Sequence, residues 1–150
     1  MPEFGYSVKV EGPCARAYGK EIRLSPKHAI EVCRAIRGMR LATAKDYLRA
    51  VIDKKRAVPF KRHGKKLAHH KGAQGTGQYP VKAARAILRV LENAEANAKY
   101  KGLEEEKLRI VHASAQRGII IPGYKPRAFA RASAWHTPTT NVEIILKEAA

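Results

Sequence analysis

The chain has 150 residues, with 30 Lys or Arg against 13 Asp or Glu and a formal net charge of +17. That length supports one domain with a modest core, and such a charge opposes compaction by self-repulsion unless a polyanionic partner offsets it. No run approaches the roughly 20 apolar residues of a membrane span, and the first residues lack the cationic head and apolar stretch of a secretory signal.

Residues 14–24 roughly alternate and predict one short strand. Ser25 then serves as an N-cap, with Pro26 at the first helical position. Ala29, Val32, Cys33 and Ile36 recur at helical spacing, and Gly38 closes that helix. A second helix opens near Ala42 on the stripe Leu41, Ala44, Leu48, Val51 and Ile52, and ends by Lys54 or Lys55, ahead of Pro59. Residues 54–79 read as a basic loop punctuated by Gly72, Gly75 and Gly77, in which no apolar period survives. Pro80 starts the longest helix, which runs to about Tyr100 with Gly102 just beyond. Its expected buried stripe is Val81, Ala84, Ile87, Leu88, Leu91, Ala94 and Ala98. Glu104, Glu105 and Glu106 mark a turn. Two strand-like arms, 108–114 and 141–146, then flank a proline-punctuated tip.

The predicted order is β-α-α-α-β-β. It implies an α+β fold, with three helices packed on a small three-stranded sheet and a long projecting β-hairpin. One domain is expected over 1–150: a globular part at about 12–106 closed by a strand at 140–147, a hairpin at about 107–147, and the basic loop at about 54–79. If each hairpin arm spans about 20 residues, it reaches ~60 Å at roughly 3.3 Å per residue. A chain of this length packs to a radius of gyration of only about 15 Å, so the hairpin must stand beyond the globule. No acidic residue occurs from 107 to 142. A projecting ribbon without carboxylates suits threading between phosphates.

Three regions are candidate RNA-binding sites. The loop carries Lys54, Lys55, Arg56, Lys61, Arg62, Lys65, Lys66 and Lys71, and no acid lies anywhere from 54 to 91. A loop this long without structure is disordered or ordered by a partner, and dense charge with glycine flexibility favours tracking of a phosphate backbone. On the third helix, Lys82, Arg85 and Arg89 share one face of the N-terminal half, where cations oppose the macrodipole. Phosphate at that end would reverse the sign of the cost. In the hairpin, Arg117, Lys125, Arg127 and Arg131 supply charge, while Tyr124, Phe129 and Trp135 supply rings able to stack on unpaired bases.

Catalytic and metal constellations are absent. Cys14 and Cys33 are twenty residues apart without histidines at zinc spacing, and Cys33 reads as a small core residue. They could pair in principle, but one possible bridge in a cationic chain without a secretion signal argues for a reducing cytosol. Gly72, Gly75 and Gly77 lack the preceding strand and the Gly-Lys-Ser/Thr ending of a phosphate-cradling loop. A two-metal nuclease needs clustered carboxylates, and helix termination explains Glu104 to Glu106 better. No cofactor is expected.

The strings GPCARA (12–17), LSPKHA (24–29), YPVKAAR (79–85), ENAEANA (92–98), IVHASAQRG (110–118), KPRA (125–128) and TPTTNVEI (137–144) resemble the universal large-subunit ribosomal protein twenty-two family, in its archaeal and eukaryotic branch. The resemblance covers nearly the whole chain, and the insert at 54–78 looks like the archaeal and eukaryotic form. It implies a non-enzymatic, cytoplasmic protein of the large ribosomal subunit. Its expected partners are large-subunit ribosomal RNA, neighbouring large-subunit proteins and, transiently, the nascent polypeptide. Carried over to these positions, it implies that Ile121, Pro122, Gly123 and Tyr124 face the peptide exit tunnel, while Lys125, Arg127 and Arg131 hold the RNA wall. Two departures stand out: Ala130 replaces a usual glycine, and His136 stands where asparagine is expected. A free-standing nucleic-acid chaperone or architectural binder would explain the charge but not the oversized hairpin.

Overall fold

The computed structural model describes residues 5–73 and 75–148. Strand β1 (Cys14–Ile22) leads into helices α1 (Pro26–Ile36) and α2 (Leu41–Ile52). Two very short strands, β2 (Val58–Pro59) and β3 (Gly77–Gln78), pair across the basic loop. Helix α3 (Val81–Tyr100) and a 3-10 turn (Glu105–Lys107) precede β4 (Leu108–Ile121), β5 (Tyr124–Pro126), β6 (Ala132–Ala134) and β7 (Thr137–Glu148). The α+β reading holds. Three helices pack on a three-stranded antiparallel sheet in the order β1-β7-β4.

The sheet has period-2 faces. In register, Ala17, Ile144 and Ala113 form one inward row, and Ala15, Leu146 and Ile110 form the next. All six are buried in the core with Val32, Ile36, Leu48, Ile87 and Leu91. Small residues on β1 let α3 come close. A Cβ added at Gly19 would lie 2.8 Å from Val90 Cγ2 and 2.7 Å from Ile22 Cδ1. That approach explains a correction to the α3 stripe. Ala83 and Val90 are buried, whereas Val81 and Leu88 are only half-buried, so the helix is rotated toward its Ala83–Val90 side.

The opposite face of the sheet carries Glu143, whose side chain is 2 % exposed. Its carboxylate accepts the Ser7 backbone N–H at 3.2 Å, the Ser7 hydroxyl at 2.6 Å and the Gln116 amide at 3.2 Å. These bonds satisfy a buried charge and fasten the segment before β1 across the sheet.

The helix limits match the sequence punctuation: Pro26 opens α1 and Gly38 follows it at φ +83°. Ser25 sits at the N-cap without a side-chain capping bond. The basic loop departs from expectation, because it is ordered within the chain itself. Glu31 of α1 is fully buried. It accepts backbone N–H groups from Arg62 at 2.7 Å, His63 at 2.8 Å and Lys61 at 3.3 Å. Phe60 N–H donates to the Thr76 carbonyl at 3.0 Å, and the β2–β3 pair closes the loop.

The hairpin arms are longer than the segments read from sequence, pairing from Leu108 with Glu148 out to Ile121 with Thr137. β5 and β6 continue the ribbon to Pro126 opposite Ala132. Burial ends near Ser114 on β4 but continues to Thr139 on β7, so only the stretch beyond about Ile119 stands clear of the core. At about 3.3 Å per residue that is roughly 25 Å, shorter than the full arm because the rest belongs to the sheet. A register shift between Arg117 and Ile120 marks the root of the projecting part. There the Thr139 hydroxyl donates to the Ile119 carbonyl at 2.8 Å.

Candidate nucleic-acid interface

Every cation singled out in the sequence lies exposed: Lys54, Lys55, Arg56, Lys61, Arg62, Lys65, Lys66 and Lys71 on the loop, Lys82, Arg85 and Arg89 on α3, and Arg117, Lys125, Arg127 and Arg131 on the ribbon. Their neighbours divide them. Lys55 pairs with Asp53 at 3.4 Å, and the Arg56 guanidinium stacks 4.8 Å from the centre of the Tyr47 ring. Burial of Tyr47 raises its phenol above the ordinary range, with Arg56 acting against the shift. These two cations are partly committed within the protein. No carboxylate lies within 4.0 Å of the side-chain cationic group of Lys61, Arg62, Lys82, Arg85, Arg89 or Arg117 among the described residues.

The acids gather elsewhere. Beyond the C-terminal half of α3, Lys99 pairs with Glu105 at 3.0 Å and Lys107 with Glu104 at 2.7 Å. These hydrogen bonds raise both ammonium groups above the ordinary lysine range. Lys45 of α2 pairs with Glu95 of α3. Charge is therefore segregated along α3: cations at its N-terminal end, anions and neutralised pairs at its C-terminal end. This is the reverse of what the macrodipole favours. The first turn has no acidic residue and no side-chain cap.

Arg23, which the sequence reading passed over, completes the α3 patch. It lines one groove with Ile22, Lys82, Arg85 and Arg89, and an adjoining one with Thr137 and Pro138 at the foot of β7. The patch thus runs into the root of the ribbon. Arg34 and Arg37 were also missed. They line a groove at the other side of that root with Arg62 and with Ala113, Ser114 and Ala115 of β4. Burial, with His63 beside it, holds the His28 imidazole below its ordinary pKa, and its ring meets Phe60 edge-on at 5.5 Å.

The tip joins apolar and basic groups. Ile119, Ile120 and Ile121 are 46 to 60 % exposed, and Tyr124, Phe129 and Trp135 are 54 to 86 % exposed. Trp135 N–H donates to the Gly123 carbonyl at 2.6 Å. A Cβ at Gly123 would sit 2.8 Å from the Trp135 carbonyl oxygen, so the crossing needs glycine. Lys125 and Trp135 form a cation–π pair, Arg127 Nε donates to Ser133 Oγ at 3.0 Å, and Arg131 approaches the Phe129 ring. Phe129 and Ala130 have φ of +57° and +53°. This left-handed geometry favours glycine, which supplies a physical reason for the glycine expected at position 130.

Cys14 and Cys33 are free and buried. No helix among the described residues is long and apolar enough to cross a membrane.

Comparison with known proteins accords with this arrangement. The family described as ribosomal protein L22p/L17e matches residues 17–147. The large ribosomal subunit protein uL22 of Methanosphaera stadtmanae is 53% identical over 148 residues, covering 97% of this chain and 96% of its own length. The uL22 of Methanopyrus kandleri is 55% identical over 137 residues, covering 89% and 86%. That of Archaeoglobus fulgidus is 49% identical over 144 residues, covering 95% and 93%.

Proposed function

The chain belongs to the ribosomal protein L22p/L17e family, and from that premise we propose that it is a structural constituent of the large ribosomal subunit, anchored to large-subunit ribosomal RNA. It acts in the cytoplasm, within the ribonucleoprotein, and is not an enzyme. The observation that carries the RNA reading is the unneutralised basic surface around the ribbon root. Arg23, Lys82, Arg85, Arg89 and Arg117 point into solvent without carboxylate partners among the described residues. Phosphates there would offset the repulsion among these cations and the opposing helix dipole together.

The outer ribbon divides into anchoring cations and an uncharged stretch just inside the terminal turn. Lys125, Arg127 and Arg131 grip RNA, while Ile121, Pro122, Gly123 and Tyr124 face the exit tunnel and touch the nascent polypeptide as it passes. The exposed triplet of isoleucines supports this division, since an apolar edge left in water is a liability unless a neighbour covers it. Neighbouring large-subunit proteins complete the surroundings.

Sucrose-gradient fractionation of cells carrying tagged protein tests the reading. The protein is expected in large subunits and polysomes. Recovery in the light fractions alone would point instead to a free-standing nucleic-acid chaperone. Affinity for the RNA should also fall steeply and log-linearly with salt, on the order of 10³-fold or more between 50 and 200 mM.

A further inference from the structure

We propose that the groove between α1 and β4 is a second RNA phosphate site, with Arg34, Arg37 and Arg62 as its ligands and Glu31 as the residue that positions Arg62. The proposal rests on the RNA-binding reading above and adds a site to it. The three guanidinium groups come from the last turn of α1, its C-cap and the basic loop, and they line one groove. All three side chains are exposed. None has a carboxylate within 4.0 Å among the described residues.

Two of the three are fixed in advance. Arg37 Nη2 donates to the Ala113 carbonyl at 2.7 Å, which holds one corner of the guanidinium and leaves its other N–H groups free for a ligand. Arg62 sits in a loop that would otherwise wander. Its own backbone N–H and that of His63 are held by Glu31 Oε1 at 2.7 and 2.8 Å. Glu31 is fully buried and its carboxylate is taken up by backbone amides, so it orders the Arg62 segment without neutralising the guanidinium. The β4 side of the groove is Ala113, Ser114 and Ala115, small enough for a sugar–phosphate backbone to come close. A planar fork of donors suits a phosphate oxygen pair, and pre-ordering lowers the entropy lost on binding.

The placement separates this site from the α3 patch. Helix α1 packs on the edge strand β4 and α3 on the other edge strand, β1, with β7 between them. The two basic grooves therefore flank the ribbon root, and each meets its own stretch of RNA.

The test uses full-length protein and the large-subunit ribosomal RNA of its own cell, with backbone footprinting and salt titration. Wild type should protect two RNA segments. The pair Arg34→Ala/Arg62→Ala should lose one of them and lower the salt slope by about 2, roughly one for each phosphate contact removed. The pair Arg85→Ala/Arg89→Ala should lose the other segment. Glu31→Gln should weaken binding in the wild-type background but add nothing once Arg62 is already alanine, because coupled residues are non-additive. An unchanged footprint and slope in Arg34→Ala/Arg62→Ala overturns the groove while leaving RNA binding by the α3 patch intact. Equal losses from Glu31→Gln in both backgrounds overturn its positioning role. A flat salt response in wild type overturns the RNA reading itself.

Discussion

Lys125 holds its Nζ 3.5 Å from the centre of the Trp135 ring, across the narrow neck of the tip. An exposed cation–π contact contributes about 0.5–1 kcal/mol, enough to bias a short ribbon that has no core of its own. Because Trp135 is the lone tryptophan, the contact is directly observable. Lys125→Met should lower the fluorescence anisotropy of the free protein as the tip loosens, with the far-ultraviolet spectrum unchanged. Unaltered anisotropy would show that the Gly123–Trp135 backbone bond holds the neck alone.

The division between anchoring cations and the uncharged stretch is open to a short deletion. Removing Ile121–Tyr124 takes out four uncharged residues and leaves Lys125, Arg127 and Arg131 in the chain. A chain shortened in this way should still enter large subunits, because the loop, the α3 patch, Arg117 and those three cations remain. It should alter nascent-chain stalling or sensitivity to tunnel-binding small molecules in ribosome profiling and growth assays. Exclusion of the truncated protein from subunits would make the tip an assembly anchor.

Replacing Arg85 and Arg89 with alanine separates binding from folding. Their cations oppose the α3 macrodipole, at a few tenths of a kcal/mol each, and neither has an acidic partner among the described residues. The double variant should bind RNA more weakly while its urea midpoint stays level or rises slightly. A lower midpoint with intact binding would reassign both residues to structure.

Burial pushes the Cys33 thiol up to about 12. At pH 8 the thiolate fraction in the folded chain is therefore on the order of 10⁻⁴, against about a quarter for an ordinary thiol near 8.5. Cys33 should resist a thiol reagent in native protein and react at once in denaturant. The raised value also sets a sign. Stability from the buried neutral thiol is complete below the unfolded pKa and is lost as pH climbs from about 9 toward 12. Rapid native labelling of Cys33 would show that the α1 face opens readily.

The helices were legible because their signals are local. Pro26, Gly38, Pro80 and Gly102 punctuate them, and the apolar period does the rest. The tip was legible because its aromatic, basic and proline residues are contiguous in sequence. Other features depend on contacts the sequence does not display. Glu31 reads as a surface acid on α1, and only amides some thirty residues away reveal why it is buried. β2 and β3 are two residues each, too short for any period to register. Arg23, Arg34 and Arg37 are isolated cations until the fold sets them beside Arg85 and Arg62. Val81 and Leu88 misled because apolar size was weighed above closeness: Gly19 on β1 lets Val90 approach, which turns the Ala83–Val90 side of α3 to the sheet.

The strand at the centre of the sheet is the last of the seven to be synthesised. Until β7 leaves the ribosome that is making it, β1 and β4 have no partner between them, and the inward rows of alanine, isoleucine and leucine cannot close. Nearly every sheet contact thus joins distant parts of the chain, which slows folding and leaves open edges in the meantime. Until then a growing copy stays an unfinished polycation, attractive to any nearby RNA. Completion acts as a checkpoint: only a chain read through to β7 presents the rigid paired root on which both basic flanks depend.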